Sequence, residues 1–286
     1  MLRFEFVQNL PAETPPRLKV FALEKARADQ NLFVNLFSRL GLMGAFSGIR
    51  WKNNGGWTTA ESKDARVSIN QRSGSLRFWT RLNERELPQT PFSIDEPRLA
   101  SIARGFLKRT DLAPVPVEQL KVSKIAYLRL QTKPVGGKAT SPKILDAGVI
   151  FGREVEGVPV SGPGGYVMVN VAPDESVIAG TKVWRRLSKT LGMANVLKPD
   201  YAINELNRRL RLQKIDRPVR VLKAELCYFE RGENDEQNYL EPAYAFVYEY
   251  ETKNRFLHKS ALVIPAIQGS KQNWNPPKRF ASTSVG

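Results

Sequence analysis

The 286-residue chain predicts an α+β fold in which one unit, a helix followed by an antiparallel sheet, recurs three times. Three observations carry that expectation. Helical spacing of apolar residues appears in three segments, starting near residues 16, 93 and 199. Period-two alternation bounded by turn residues fills the stretches between them. The strand-like runs come in blocks, which favours antiparallel meanders over parallel crossovers. The expected units are residues 1–90, 91–195 and 196–286, the last with a polar, mobile tail from residue 268.

The first helix is expected to follow Thr14-Pro15-Pro16 and run to about Leu40, since a capping Thr and prolines suit a first turn and Gly41 suits a stop. Leu32, Phe33, Leu36, Phe37 and Leu40 form its core stripe. The second begins at Ser93-Ile94-Asp95-Glu96, read as a capping box, with Leu99, Ile102, Ala103, Phe106 and Leu107 as its apolar face. The third starts at Pro199-Asp200, with Tyr201, Ile203, Leu206 and Leu210 inward and Asn204, Asn207, Arg208 and Arg211 outward. Strands are expected over 65–82 as a hairpin, then 120–131, 145–155, 158–160, 166–171 and 177–184, and finally 219–230, 239–252 and 256–265. Turns fall at Glu156-Gly157, at 161–165 and at 173–175.

A hydrophobic content of 42% is ordinary for a chain with a buried core. No apolar run approaches the roughly 18 residues that span a bilayer. The opening Met1-Leu2-Arg3-Phe4-Glu5-Phe6 lacks the continuous apolar core of a secretory signal, so a cytoplasmic location is expected unless a leader has been removed. The lone Cys227 rules out an internal disulfide and is expected in a buried strand. A formal net charge of +16 attracts polyanions, nucleic acid among them, without specifying one. The cations gather around Lys182, Arg185, Arg186 and Lys189, and again from Arg208 to Lys223.

The segment Val149-Ile150-Phe151-Gly152-Arg153-Glu154-Val155-Glu156-Gly157-Val158-Pro159-Val160-Ser161-Gly162, with the strands at 166–171 and 177–185, resembles the hairpin pattern of PepSY and thermolysin-type propeptide domains. Tyr239-Leu240-Glu241-Pro242-Ala243-Tyr244-Ala245-Phe246-Val247-Tyr248-Glu249-Tyr250 is similar to their final strand. The resemblance covers residues 145–265 and implies tandem cystatin-like units, each a helix packed on a curved antiparallel sheet, as in YpeB-type envelope proteins. It implies a binding or regulatory module and carries no catalytic residues. No H-E-x-x-H segment follows, so inhibition of a protease in the same chain is excluded.

Chemistry is sparse. With His258 as the one histidine, a His-rich metal site is impossible, no metal is expected, and His258 reads as a surface or satisfied strand residue. Carboxylate pairs at Glu154/Glu156 and Glu249/Glu251 have the spacing that shares one strand face, which general acid–base work can use. Ser161-Gly162-Pro163-Gly164-Gly165 offers backbone N–H groups to an anion but lacks the Lys-Ser/Thr and helix of a phosphate loop; a hairpin connection is expected, and no cofactor. Trp51, Trp57, Trp79, Tyr166 and Trp184 fall on strands or their ends, as core residues or as stacking platforms.

The leading functional expectation is a non-catalytic binding or regulatory protein that holds a protein or other macromolecule on sheet faces or in grooves between units. Trp184, Arg185, Tyr166, Arg208 and Arg211 are its candidate ligand-binding residues. The first alternative is an enzyme with a small-molecule pocket between units, with Glu249, Glu251, Tyr248 and Tyr250 doing acid–base work. The second is a sequence-independent polyanion binder.

Overall fold

The computed structural model describes residues 2–11, 13–26, 30–42, 49–80, 91–133, 135–138 and 140–270, so the tail expected to be mobile lies outside the described residues from position 271. The chain runs β1 (Phe4–Phe6), β2 (Arg17–Leu23), α1 (Gln30–Arg39), β3 (Arg50–Asn54), β4 (Trp57–Glu61), β5 (Ala65–Asn70), β6 (Leu76–Thr80) and α2 (Glu96–Thr110). It continues through β7 (Lys121–Leu130), β8 (Lys143–Gly152), β9 (Glu154–Val155), β10 (Val158–Ser161), β11 (Tyr166–Val171), β12 (Val177–Val183) and β13 (Leu187–Asn195). It ends with α3 (Pro199–Leu212), β14 (Val219–Phe229), β15 (Tyr239–Leu240), β16 (Pro242–Glu251) and β17 (Leu257–Pro265).

Among the described residues these strands make a mostly antiparallel α+β fold of three sheets. The largest has eight strands in the order β3-β4-β5-β6-β12-β11-β8-β7. The second runs β17-β16-β14-β10-β9, with β1 also paired to β14; β1 and β10 are its parallel members. The third is β13-β2-β15.

The boundary expected near residue 90 falls inside one sheet, because β6 pairs with β12 from Leu76↔Lys182 to Trp79↔Ala179. A meander of β3 to β6 alone would leave the unpaired N–H and C=O groups of β6 open to water, and joining it to β12 removes that edge. The helix expected from residue 16 is a strand and then a helix. Leu18, Phe21 and Leu23 are buried on β2, which pairs with both β13 and β15. The β-favouring run Leu18-Lys19-Val20-Phe21 finds partners on both edges, and that tertiary pairing overrides helix signals that were only local.

Two helix details also differ from expectation. In α2 the cap is Asp95, two residues after Ser93: its Oδ1 accepts from the Arg98 N–H at 2.8 Å. In α3 the buried residues are Ala202, Leu206 and Leu210, while Tyr201 is 43% exposed. The 161–165 connection is no hairpin either, since β10 pairs with β9 and β14 and the chain then crosses to the eight-stranded sheet. Glu156 and Gly157 do turn as expected, with φ of 51° and 79°, the left-handed pair that closes the two-residue β9–β10 hairpin.

Helices α1 and α2 cover one face of the eight-stranded sheet. Phe33, Leu36 and Phe37 of α1 and Leu99, Phe106 and Leu107 of α2 pack on Val67, Phe78, Val149, Phe151 and Val169. Helix α3 covers one face of the second sheet through Leu206, Leu210, Val221, Phe246, Tyr248 and Ile264. Cys227 is fully buried on β14 with its Sγ 3.5 Å from the Ala243 carbonyl oxygen, and burial pushes the thiol far above its ordinary range.

Within the eight-stranded sheet a close approach requires a glycine. At Gly180 of β12 the Phe78 ring lies where a Cβ would stand, with Cζ at 2.7 Å from that position and the Met168 carbonyl oxygen at 3.0 Å. Gly180→Ala is expected to cost about 1–3 kcal/mol, because ring and strand must shift to admit the methyl. Urea unfolding of the two proteins measures it, and an unchanged midpoint would mean that the Phe78 ring relaxes freely.

Candidate functional site

The open side of the eight-stranded sheet is the candidate site. Strand alternation that sends Ala60, Val67, Ile69, Leu76, Phe78 and Val167 toward the helices sends Glu61, Arg66, Ser68, Arg77, Trp79, Thr181 and Met168 the other way. Among the described residues the three helices pack elsewhere. Register aligns these outward residues in rows across the strands. One row reads Lys52, Thr59, Ser68, Arg77, Thr181, Met168, Ile150 and Lys124; the next reads Arg50, Glu61, Arg66, Trp79, Ala179, Asn170, Gly148 and Ala126.

On β3 to β5 this face gathers three cations around one carboxylate. Glu61 accepts from Arg66 Nε at 2.8 Å and lies 3.4 Å from Lys52 Nζ and 3.5 Å from Arg50 Nη2. The Glu61 side chain is 11% exposed, against 41%, 57% and 72% for Arg66, Lys52 and Arg50, so the anion is enclosed and the cations face solvent. The Arg66 hydrogen bond, with Lys52 beside it, holds the Glu61 carboxyl below its ordinary value against partial desolvation. Thr59 and Ser68 share a 2.9 Å hydroxyl contact across β4 and β5. The Arg66 guanidinium sits 6.0 Å from the Trp79 ring centre.

The segment 231–237 straps across the adjoining end of the same face. Glu233 takes Arg77 in a two-pronged contact, with Nε donating to Oε2 at 2.8 Å. Asn234 Oδ1 accepts from Trp57 Nε1 at 2.8 Å, and Ser73 donates to the Glu233 carbonyl. Tyr166 lies on the same end, its hydroxyl pushed above its ordinary value by burial and then by Glu233.

The strap leaves from a buried charge triad. Glu230, at the end of β14, is fully enclosed; Arg153 Nη1 donates to its Oε2 at 2.8 Å, and the Arg185 main-chain N–H donates to its Oε1 at 2.7 Å. The Arg185 guanidinium turns to the carbonyl oxygens of Arg231, Gly232 and Asp235, and its Nε alone is buried without a partner. Burial pushes the Glu230 carboxyl up, and Arg153 and the Arg185 N–H oppose it. The Arg153 guanidinium also covers the Trp184 ring at 5.0 Å. The crossover glycines fit only without side chains, since a Cβ on Gly162 or Gly164 would strike the carbonyl oxygens of Glu230 and Arg231.

The expected ligand-binding residues therefore separate. Tyr166, Trp184 and Arg185 come together near the triad, but Trp184 and Arg185 are buried structural groups. Arg208 and Arg211 lie on α3, where both Arg208 prongs are held by Glu205 at 2.7 Å. The acid–base constellation does not assemble. Tyr248 and Tyr250 point to the α3 side, and their neighbours Glu249 and Glu251 take the opposite face of β16. Glu249 pairs with Arg220 at 3.4 Å, and the Tyr250 ring lies 5.1 Å from that of the exposed His258, tilted 55° to it. Glu154 and Glu156 separate too, because Glu156 sits in the hairpin turn.

A surface cleft of about 740 Å³ between Phe6, Leu10, Thr14, Lys198, Pro199 and Ile203 contains none of the four expected catalytic residues. Among the described residues no group of three or more His, Cys, Asp or Glu is placed to hold a metal ion, and no helix is long and apolar enough to cross a membrane. The carboxylate Glu61 and its three cations were missed in sequence, although the alternation Ala65-Arg66-Val67-Ser68-Ile69 signals which side each residue takes.

Two outcomes are expected. Glu230→Gln leaves two buried guanidiniums without a counter-charge and should cost about 3–5 kcal/mol in denaturant unfolding; near-neutrality would mean that water reaches the triad. Hydrogen bonds from Arg208 and then Arg209 hold the Glu205 carboxyl at about 2, below its ordinary 4.5, so its contribution is present above pH 4.5 and fades as pH falls toward 2. Glu205→Gln should cost about 0.5–1 kcal/mol at neutral pH, with the two proteins converging over that window. A gap that persisted at low pH would rule this out.

No family model matches the chain, and no curated protein matches it. Among solved structures, an uncharacterized protein from Eubacterium rectale ATCC 33656, determined at 1.45 Å resolution, is similar in fold, with a TM-score of 0.55 at 12% identity over 95% of this chain and 91% of that one.

Proposed function

We propose that this chain is a non-catalytic binding or regulatory protein that holds a macromolecular partner against the open face of its eight-stranded sheet. The observation that carries this reading is the one-sided helix layer: α1 and α2 complete the core on one side, while the other carries solvent-facing cations around a single carboxylate. Rigid strands present the side chains at fixed spacing, which limits the ordering cost of association.

The tandem cystatin-like reading, with its PepSY and propeptide kinship, belongs to the same proposal. It is supported by α2, followed by β7, β8, β11 and β12, and by α3, followed by β14, β16 and β17, each a helix laid on antiparallel strands.

The test places bulk and charge at the centre of the face. Met168→Glu with Thr181→Arg should abolish capture of the partner from extract of the source organism, while Arg211→Glu on α3 should leave it intact, with circular dichroism checking that all three proteins fold. Equal capture by all three would sink the reading.

A further inference from the structure

The chemistry of that partner follows from how the face already treats an acid, and this step rests on the binding reading above. Glu61 is one carboxylate among three cations, and only Arg66 meets it at ordinary hydrogen-bond length; Arg50 and Lys52 stand at 3.4–3.5 Å, where a hydrogen bond is weak at best. Both are more than half exposed. Their charge is therefore largely unspent, on β3 at the sheet edge.

Across β5, on β6, Arg77 has its acid. Glu233 occupies it with both carboxylate oxygens, Asn234 takes the Trp57 N–H, and the Glu233 carbonyl takes Ser73. An acidic stretch of polypeptide is thus seated on this face within the chain itself. Strands spaced about 4.8 Å apart put β3 roughly 14 Å from β6, a span that four or five extended residues bridge. Between them lie the Thr59 and Ser68 hydroxyls.

We propose that Arg50, Lys52 and Arg66 form a recognition site for an acidic, extended segment of a partner polypeptide. Its carboxylates fall on Arg50 and Lys52, and its main chain crosses β4 and β5 over the half-buried Thr59 alongside the strap. A single-stranded nucleic acid fits less well, because base stacking needs open aromatic faces. Here guanidiniums cover the aromatics, Arg66 at 6.0 Å from the Trp79 ring centre and Arg77 at 5.1 Å from that of Trp57.

Fluorescence anisotropy tests this with three labelled probes: a short Glu- and Asp-rich peptide, its Gln- and Asn-substituted counterpart, and a single-stranded oligonucleotide of equal charge. The proteins are the full chain, Arg50→Glu with Lys52→Glu, and Arg208→Glu with Arg211→Glu, which makes the same change in net charge on α3. The acidic peptide alone should bind the full chain well, and should weaken by about tenfold or more only in the Arg50/Lys52 variant. Equal weakening in both variants, tighter binding of the oligonucleotide, or no binding of the peptide would overturn the proposal. If the peptide fails while Met168→Glu with Thr181→Arg still abolishes partner capture, this assignment falls and the face remains the binding surface. If capture survives that variant, the binding reading itself falls.

Discussion

The arrangement of the sheets depends on one buried carboxylate. Glu230 closes β14, Arg153 follows the end of β8, and Arg185 follows the end of β12, so a single anion joins the second sheet to two strands of the first. An apolar cluster of equal volume would avoid the desolvation cost of the charges. What the charges add is direction, since a carboxylate with fixed donors tolerates little rotation, and the crossover glycines press the main chain against it where any side chain would intrude.

That geometry also decides what the open face looks like. The chain leaves Glu230 directly into the strap, and Arg185 grips three carbonyl oxygens within it, so Glu233 and Asn234 reach Arg77 and Trp57 from a fixed origin. The same lock that orients the sheets therefore carries an acidic loop onto a basic surface. The rest of that surface, on β3 to β5, keeps its excess of cations.

Much of the local structure was legible in the chain. Tyr166 to Val171 alternates cleanly because every second residue is buried on the helix side, and the observed strand Tyr166–Val171 follows it; Val177 to Trp184, bounded by turn residues, is observed as the strand Val177–Val183. Strand β13 was not legible: Leu187–Asn195 is exposed along most of its length and bulged twice, so it lacks the apolar alternation that burial imposes. Strand β2 misled for the opposite reason, since its apolar residues suit either period and only its two distant partners decide. The site was half legible. Tyr166 and Trp57 drew notice as aromatics, but Glu61 and Arg50 are unremarkable charges until β3, β4 and β5 are laid side by side.

The pairing of the first residues carries a consequence for biosynthesis. Strand β1 finds its partner only at Val219 to Val221, and β2 lies between β13 and β15, which begin at Leu187 and Tyr239. The opening segments thus leave the ribosome some two hundred residues before the chain that satisfies them. In that interval the eight-stranded sheet, complete by Val183, can condense on α1 and α2, while the apolar run of β2 stays solvated and open to misassociation. Closing so long a loop is slow compared with forming local hairpins. Strands β1 and β2, made well before their partners, are therefore among the last of these elements to fold, and nascent chains that stall before β14 would display β1 to chaperones.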